Sequence, residues 1–217
     1  VPGEPLPVLD VGAGTGELAR PLAGRANRVD AVDISEAMVA KGRTMPGGDH
    51  PRLRWIVAPI ATAELQTLYS LITAGDSMHW MDWEAVFPRF RQILTPCGLV
   101  AIVHRNEPEL PWQDELMHLI RQYSTMSNYQ PFDLIAELQR RGLFRVVGKH
   151  ETAPATAQQS VEDYVASFHS RSSLSRRRMP QADVVAFDNH LTKLVEPWSN
   201  VGMLELHTVA SVVWGVP

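Results

Sequence analysis

Apolar residues fall in short runs separated by glycine, proline and polar breakers, and the spacing inside each run assigns its conformation. Residues 6–11 form an apolar run that ends in a glycine-rich turn, and residues 17–22 follow with helical character. Residues 28–32 read as a second strand closed by Asp33. Ser35 is a plausible N-cap for a helix through Met38 to about Lys41. The stretch 45–51 holds two prolines and two glycines and must be a loop. Residues 53–57 and 69–74 are a third and a fourth strand. Val86, Phe90, Ile93 and Leu94 then recur at helical spacing, with Pro88 marking a first turn or a kink. Pro96 and Gly98 stop that helix, and residues 99–103 form a fifth strand.

Strands this apolar, separated by helices, predict βαβ units in a parallel sheet covered on both faces. After His104 the alternation breaks. Residues 112–125 predict an amphipathic helix outside the rhythm. The helical pattern 132–141 ends at Gly142 and leads into a strand over 143–149. Two more helices, 161–169 and 183–195, flank the polar run 171–178, and residues 203–214 close the pattern as a strand. The expected fold class is therefore α/β: one domain over residues 1–217, with its core at 6–104. Helical insertions at about 108–128 and 160–196 would cover one end of the sheet.

Composition narrows this picture without redirecting it. At 217 residues, 45% hydrophobic and 20% charged, the chain suits one α/β domain. A formal charge of -4 argues against broad attraction to nucleic acid or anionic membranes. The lone Cys97 cannot form an internal disulfide or a thiolate cage, and no His, Asp or Glu set has metal spacing. The expectation is a soluble, cytoplasmic protein with no nucleic-acid or membrane partner. The chain begins almost on a strand, so a preceding segment is expected.

Two motifs carry chemistry. In Val8-Leu9-Asp10-Val11-Gly12-Ala13-Gly14-Thr15-Gly16-Glu17-Leu18, glycines at a strand-to-helix turn let backbone approach a ligand near free helix N–H groups. The dinucleotide fingerprint would place its third glycine where Glu17 stands, which disfavours a nicotinamide-dependent oxidoreductase. In Val29-Asp30-Ala31-Val32-Asp33-Ile34-Ser35, Asp33 sits just past a strand, where a carboxylate can accept from both ribose hydroxyls. The alternative for Asp33 is an acid favoured at a helix N-terminus without a ligand.

At these motifs the sequence resembles the class I S-adenosylmethionine-dependent methyltransferases. The resemblance continues through Trp55-Ile56-Val57-Ala58-Pro59-Ile60, through Ile72-Thr73-Ala74-Gly75-Asp76-Ser77-Met78-His79-Trp80, and through Ile93-Leu94-Thr95-Pro96-Cys97-Gly98-Leu99. The His79-Trp80 pair is similar to small-molecule members of the trans-aconitate methyltransferase group. The resemblance implies a Rossmann-like, doubly wound, mostly parallel sheet whose last strand runs antiparallel beside the strand starting at Leu143. It implies S-adenosyl-L-methionine as cofactor and methyl transfer to a small organic acceptor, by O-methylation of a carboxylate or a hydroxyl. The rival within this fold binds the cofactor without transferring methyl.

Residue by residue, the resemblance implies that Gly12, Ala13, Gly14 and Gly16 frame the amino-acid part of the cofactor. Asp10 would hold the loop, or the cofactor ammonium through water. Asp33 would take the ribose, Ile34 and Met38 would pack on the adenine, and Ala58, Pro59 and Ile60 would form its other edge. Pro59 stands where the family often has an acid, which leaves the adenine amino group to backbone. Ala74 and Gly75 would line the floor beneath the sulfonium. A carboxylate acceptor is already ionised and needs no base, whereas a hydroxyl needs a neutral imidazole nearby. His79 is the candidate for that base, with a pocket-wall histidine as the alternative. The shared His-Trp pair favours the carboxylate.

Further residues have two readings each. Arg171, Arg176, Arg177 and Arg178 would clamp an anionic substrate or form a solvated loop. His104 and Arg105 end the fifth strand on the ligand side. Trp112, Met117, Tyr123 and Phe168 would line an apolar tunnel or pack helix on sheet.

Overall fold

The structure, a computed structural model, describes residues 6–65, 68–106, 110–126, 132–170 and 172–217. The chain folds as two compact units. Unit 1 comprises residues 1–105, 132–151 and 210–217; unit 2 comprises residues 106–131 and 152–209. Both stretches expected as helical insertions therefore fall in unit 2.

Unit 1 is built on strands β1 (Val8–Val11), β2 (Val29–Asp33), β3 (Leu53–Val57), β4 (Tyr69–Gly75), β5 (Leu94–Asn106), β6 (Arg145–Glu151) and the end of β8 (Met203–Val216), in the order β3-β2-β1-β4-β5-β8-β6. The first five pair in parallel, and β6 pairs antiparallel with β8. This is the mostly parallel sheet with an antiparallel last strand that the sequence predicts. Every residue of β1 is buried, because it lies at the centre with helices over both faces.

Helix α1 (Ala19–Ala23) is short. Helix α2 (Glu36–Thr44) starts where Ser35 Oγ accepts from the Met38 N–H at 3.3 Å, the N-cap expected of it. Helix α3 (Trp83–Ile93) buries Val86, Phe87 and Phe90 and carries Pro88 mid-helix rather than in its first turn. The cap of α5 (Leu134–Arg140) is Asp133, which accepts from the Ala136 N–H at 3.0 Å.

The fifth strand departs from expectation. Pro96 and Gly98 do not precede it but lie within it: Leu94 pairs with Tyr69 and Leu99 with Leu71, so residues 95–98 bulge out between two paired ends. A Cβ on Gly98 would lie 2.9 Å from the Tyr69 carbonyl oxygen, so only glycine lets the bulge close.

Unit 2 has its own core. Helices α4 (Gln113–Tyr123), α6 (Val161–Ser167) and α7 (Gln181–Val195) pack around Trp112, Tyr164, Phe168, Phe187 and Leu191. Trp112 and Phe168 are fully buried there, and the Trp112 indole N–H donates to the Tyr164 hydroxyl at 3.2 Å, which favours the packing reading of both. A strand the sequence does not announce, β7 (Ala155–Ser160), pairs antiparallel with residues 203–208 of β8. Its residues are each polar or small, with no large apolar side chain, so no apolar alternation marks it. Of the arginine run, Arg176 binds Asp188 at 3.1 Å while Arg177 and Arg178 are exposed; Arg171 lies outside the described residues. No helix among the described residues is long and apolar enough to cross a membrane.

Beneath the sheet of unit 1, Asp30 of β2 is fully buried with its charge intact. Its Oδ1 accepts from Arg28 Nε at 2.9 Å and Arg54 Nε at 3.0 Å, and its Oδ2 from Arg54 Nη2 at 2.9 Å and from the Tyr69 hydroxyl. Burial pushes the Asp30 pKa up, but the hydrogen bonds from Arg54, Tyr69 and Arg28 outweigh it and hold the carboxyl below its usual range. Breaking such a pair from one side typically costs about 3–5 kcal/mol. Asp30→Asn should lose about 3 kcal/mol in urea unfolding at pH 7, the lower end because both arginines are partly exposed. A lowered carboxylate pKa stabilises above the unfolded value of about 4 and is lost below it. The gap between variant and wild type should therefore close as pH falls through that range; a pH-independent gap would mean that shape, not charge, is what Asp30 supplies.

Candidate functional site

The strand order reverses direction between β1 and β4, so the connections leaving their carboxyl ends run to opposite faces and open a crevice there. The glycine turn stands at this point. Gly12, Gly14 and Gly16 have φ of +64°, +56° and +82°, a region that favours glycine. Gly12 and Gly16 are also constrained by space, since a Cβ would come within 2.5 Å of Ser77 and of Trp55 respectively. At Gly14 it would meet only the Met38 methyl at 3.5 Å, so conformation alone demands that glycine.

Asp33 fastens the turn. Its Oδ2 accepts from the Gly14 N–H at 2.7 Å and its Oδ1 from the Ser35 N–H at 2.7 Å. The Ala13 N–H donates to the Val32 carbonyl at 3.0 Å, and Ser77 Oγ donates to the Val11 carbonyl at 2.7 Å. A carboxylate has about four lone-pair sites, so Asp33 can hold the loop and still accept from a ligand's hydroxyls. Next to it, Ile34 is 75% exposed and Met38 42% exposed. Two large apolar side chains left in solvent beside a carboxylate make a surface suited to a flat ring.

Asp10 lies under the turn, almost fully buried. Thr73 Oγ1 donates to its Oδ1 at 2.7 Å, and the Ala19 N–H at the start of α1 also donates to it. Burial outweighs those hydrogen bonds, and together with the nearby Asp33 charge it pushes the Asp10 pKa up to about 7. This environment suits a group that becomes fully ionised only when a cation approaches.

The remaining expected residues divide between surface and core. Pro59 is exposed and Ala58 donates its N–H to the Asp33 carbonyl at 3.0 Å, but the Ile60 side chain is in the main core. Ala74 is likewise fully buried, so backbone is what it can offer to a ligand, whereas Gly75 is partly open. His79 sits in a single 3₁₀ turn, Met78–Trp80, its ring 4.7 Å from that of the 60%-exposed Trp80. Burial lowers its pKa; Asp76 raises it and His104 lowers it further. The sequence left Asp76 unremarked, yet it pairs with His104 across the ends of β4 and β5. Among the described residues, no group of three His, Cys, Asp or Glu is placed to hold a metal.

Comparison with known proteins bears on the family and the fold. Residues 8–98 match the methyltransferase domain family. An uncharacterised methyltransferase of Mycobacterium tuberculosis is 34% identical over 114 residues, 52% of this chain and 56% of the relative. Malonyl-[acyl-carrier protein] O-methyltransferase 1 of Ilyobacter polytropus is 25% identical over 148 residues, 66% of this chain and 54% of the relative. The chain thus spans about half the length of the curated relatives it matches. Among solved structures, a protein of Anaeromyxobacter dehalogenans assigned as a type II methyltransferase superposes with a TM-score of 0.65 at 22% identity. It covers 96% of this chain and 88% of its own, and shows a shared fold.

The raised Asp10 pKa has a measurable consequence. Between the ordinary value of 3.8 and about 7, the folded chain holds a proton that the unfolded chain releases. Stability therefore falls as pH rises through that window, by up to about 4 kcal/mol for a shift of this size. In Asp10→Asn, which cannot ionise, denaturant unfolding at pH 5 and pH 8 should show that slope removed. The same slope in variant and wild type would assign the pH dependence to other groups.

Proposed function

We propose, from the match of residues 8–98 to the methyltransferase domain family, that the chain binds S-adenosyl-L-methionine and transfers its methyl group to an oxygen of a small organic acceptor. The observation that carries this reading is the Asp33 carboxylate, set between the glycine turn and the exposed Ile34 and Met38. The three features suit, in order, a ribose, an amino-acid chain and an adenine. The residues fit the group in charge as well, since Asp10 at the carboxyl end of β1 is a carboxyl in reserve for an ammonium.

When bound, the cofactor supplies a methyl group on a sulfonium, an activated donor that leaves the protein no bond to weaken. The chain's own work is then binding, orientation and exclusion of water. Gly12, Ala13, Gly14 and Gly16 hold backbone close to the ligand, and Asp33 fixes its sugar. Gly75 and the backbone of Ala74 bound the space in front of it, with His79 and Trp80 on the acceptor side. Orientation of this kind accounts for about 7–11 kcal/mol of a barrier when the reactants are held near the attack geometry. The O-methyltransferase from Ilyobacter supports oxygen as the receiving atom. The acidic net charge supports a small acceptor over nucleic acid or a membrane surface.

Calorimetry with S-adenosylhomocysteine tests the reading directly. The full chain should bind it, and Asp33→Ala should bind it more weakly by about 1.5–3 kcal/mol, the usual loss for hydrogen bonds to a charged group. Because Asp33 also fastens the glycine turn, circular dichroism must show the variant folded. Unchanged affinity removes Asp33 from the ribose role. Binding without S-adenosylhomocysteine formation over a panel of small acids and alcohols would favour a cofactor-binding protein over an enzyme.

A further inference from the structure

Two side chains from elsewhere in unit 1 end on the glycine turn: Trp55 of β3 and Arg20 of α1. The Trp55 indole is partly buried and packs against the core cluster that holds Ala19, Ala23 and Ala31. Its ring tip fills the space beside Gly16, where a Cβ would come within 2.5 Å of Cη2 and 3.2 Å of Cζ2. A Cβ on Gly42 of α2 would also come within 2.5 Å of Cη2, and within 2.8 Å of the Thr15 carbonyl oxygen. Turn, ring and α2 therefore meet with no room for a methyl group between them. The indole N–H donates to the Gly48 carbonyl at 2.8 Å. Gly48 is itself packed against the end of α2, where a Cβ would come within 2.0 Å of the Gly42 carbonyl oxygen.

Arg20 makes a second tie between the same loop and the same turn. Its Nε donates to the Thr15 carbonyl at 3.1 Å and its Nη1 to the Pro46 carbonyl at 2.8 Å. Its main-chain N–H donates to the Gly16 carbonyl at 2.9 Å. Thr15 and Gly16 are thus held from two directions by groups whose far ends rest on residues 46–48. We infer that Trp55 and Arg20 are positioning residues for the cofactor: they brace Thr15 and Gly16 against the 46–48 loop, so that the free turn already has its ligand-receiving shape. Affinity for S-adenosyl-L-methionine then depends on both side chains through the turn. The inference rests on the methyl-transfer reading above.

The physical reason is preorganisation. A turn rich in glycine samples many backbone conformations, and apparent ligand affinity falls by the fraction of molecules that hold the receptive one. Asp33 fixes the turn at Gly14. Trp55 and Arg20 fix it further along, at Gly16 by contact and at Thr15 by a hydrogen bond from a charged donor. The 46–48 loop is where both ties end, so a segment some thirty residues on in the chain sets the shape of the turn. Truncating Trp55 also costs stability, because the ring fills space beside a core. Binding and stability must therefore be separated in the test.

Calorimetry with S-adenosylhomocysteine on the full chain makes that separation, with circular dichroism to establish that each variant is folded. Trp55→Ala should bind about tenfold more weakly, as expected when the receptive fraction of the turn falls to about a tenth. Arg20→Met keeps the aliphatic stem, loses both side-chain donors and should bind about fivefold more weakly. Arg20→Lys retains one donor and should recover part of that loss. Asp30→Asn, destabilised elsewhere in the sheet, should bind as wild type does. A methyl group at Gly16 meets the indole, so those two changes should not add: Gly16→Ala should cost about threefold less affinity in the Trp55→Ala background than in wild type. Amide exchange at residues 13–20 should quicken in free Trp55→Ala, and the difference should shrink at saturating ligand. Should Trp55→Ala fail to fold, Trp55→Phe, which gives up the ring tip and the N–H, carries the same expectation alongside Arg20→Met. Unchanged affinity in the folded variants, additive losses with Gly16→Ala, or an equal loss in Asp30→Asn would each overturn the inference. Full recovery in Arg20→Lys would make Arg20 a charge rather than a brace and overturn its part. Failure of wild type to bind S-adenosylhomocysteine strikes the methyl-transfer reading and this inference with it, whereas equal binding by wild type and all variants strikes this inference alone.

Discussion

One carboxylate holds the site in shape. Asp33, at the end of β2, receives the Gly14 N–H with one oxygen and the Ser35 N–H with the other. It thereby ties the glycine turn after β1 to the start of α2. Without that tie the three alternate glycines, all in the left-handed region, would be left to the Ala13–Val32, Gly16–Ala13 and Ser77–Val11 hydrogen bonds around them and to Trp55 and Arg20. The position of the exposed Ile34 and Met38 follows, since both hang from the segment that Asp33 anchors. The buried Asp10 follows too, because the turn that covers it is the turn that Asp33 secures.

Three other aspartates show how environment divides a common residue type among tasks. Asp30 is buried but surrounded by donors, two arginines and a tyrosine, so its charge is retained and serves the fold. Asp10 is buried with weaker partners, so its charge is disfavoured. Asp76 is half in solvent and paired with an imidazole, so water and a ring partner share its charge. Residue type alone does not separate them: Asp10 and Asp30 lie within strands of the same sheet, and Asp76 directly follows a third.

The two units differ in what holds them together. Unit 1 is a parallel sheet whose central strand is buried on both faces, and its aliphatic and aromatic core lies between sheet and helices. Unit 2 is an aromatic helical cluster built from two segments far apart in the chain. The antiparallel pairing of β7 with the first half of β8 adds a polar strand whose backbone pairing, rather than side-chain burial, gives it its form. Residues first weighed as a substrate tunnel, Trp112 and Phe168, are the centre of that cluster.

The sequence by itself determined the elements whose signals are local. The glycine turn, Asp33 after the second strand, the Ser35 cap and the exact bounds of β3 are each written in a few adjacent residues, because caps, turns and apolar runs act over one turn or one strand. Tertiary structure decided whatever depends on a partner distant in the chain. β7 has no apolar pattern and exists by pairing with β8. Pro96 and Gly98 look like a helix stop until the registry of Leu94 with Tyr69 and Leu99 with Leu71 makes them a bulge inside β5. Ile60 and Ala74 sit in motifs expected to line a ligand, but their side chains face the core because strand and turn geometry turn them there. The Asp76–His104 pair joins residues 28 apart, and only the parallel register of β4 on β5 brings them to one edge. Local periodicity reports which face a residue takes; it carries no information about which strand lies opposite.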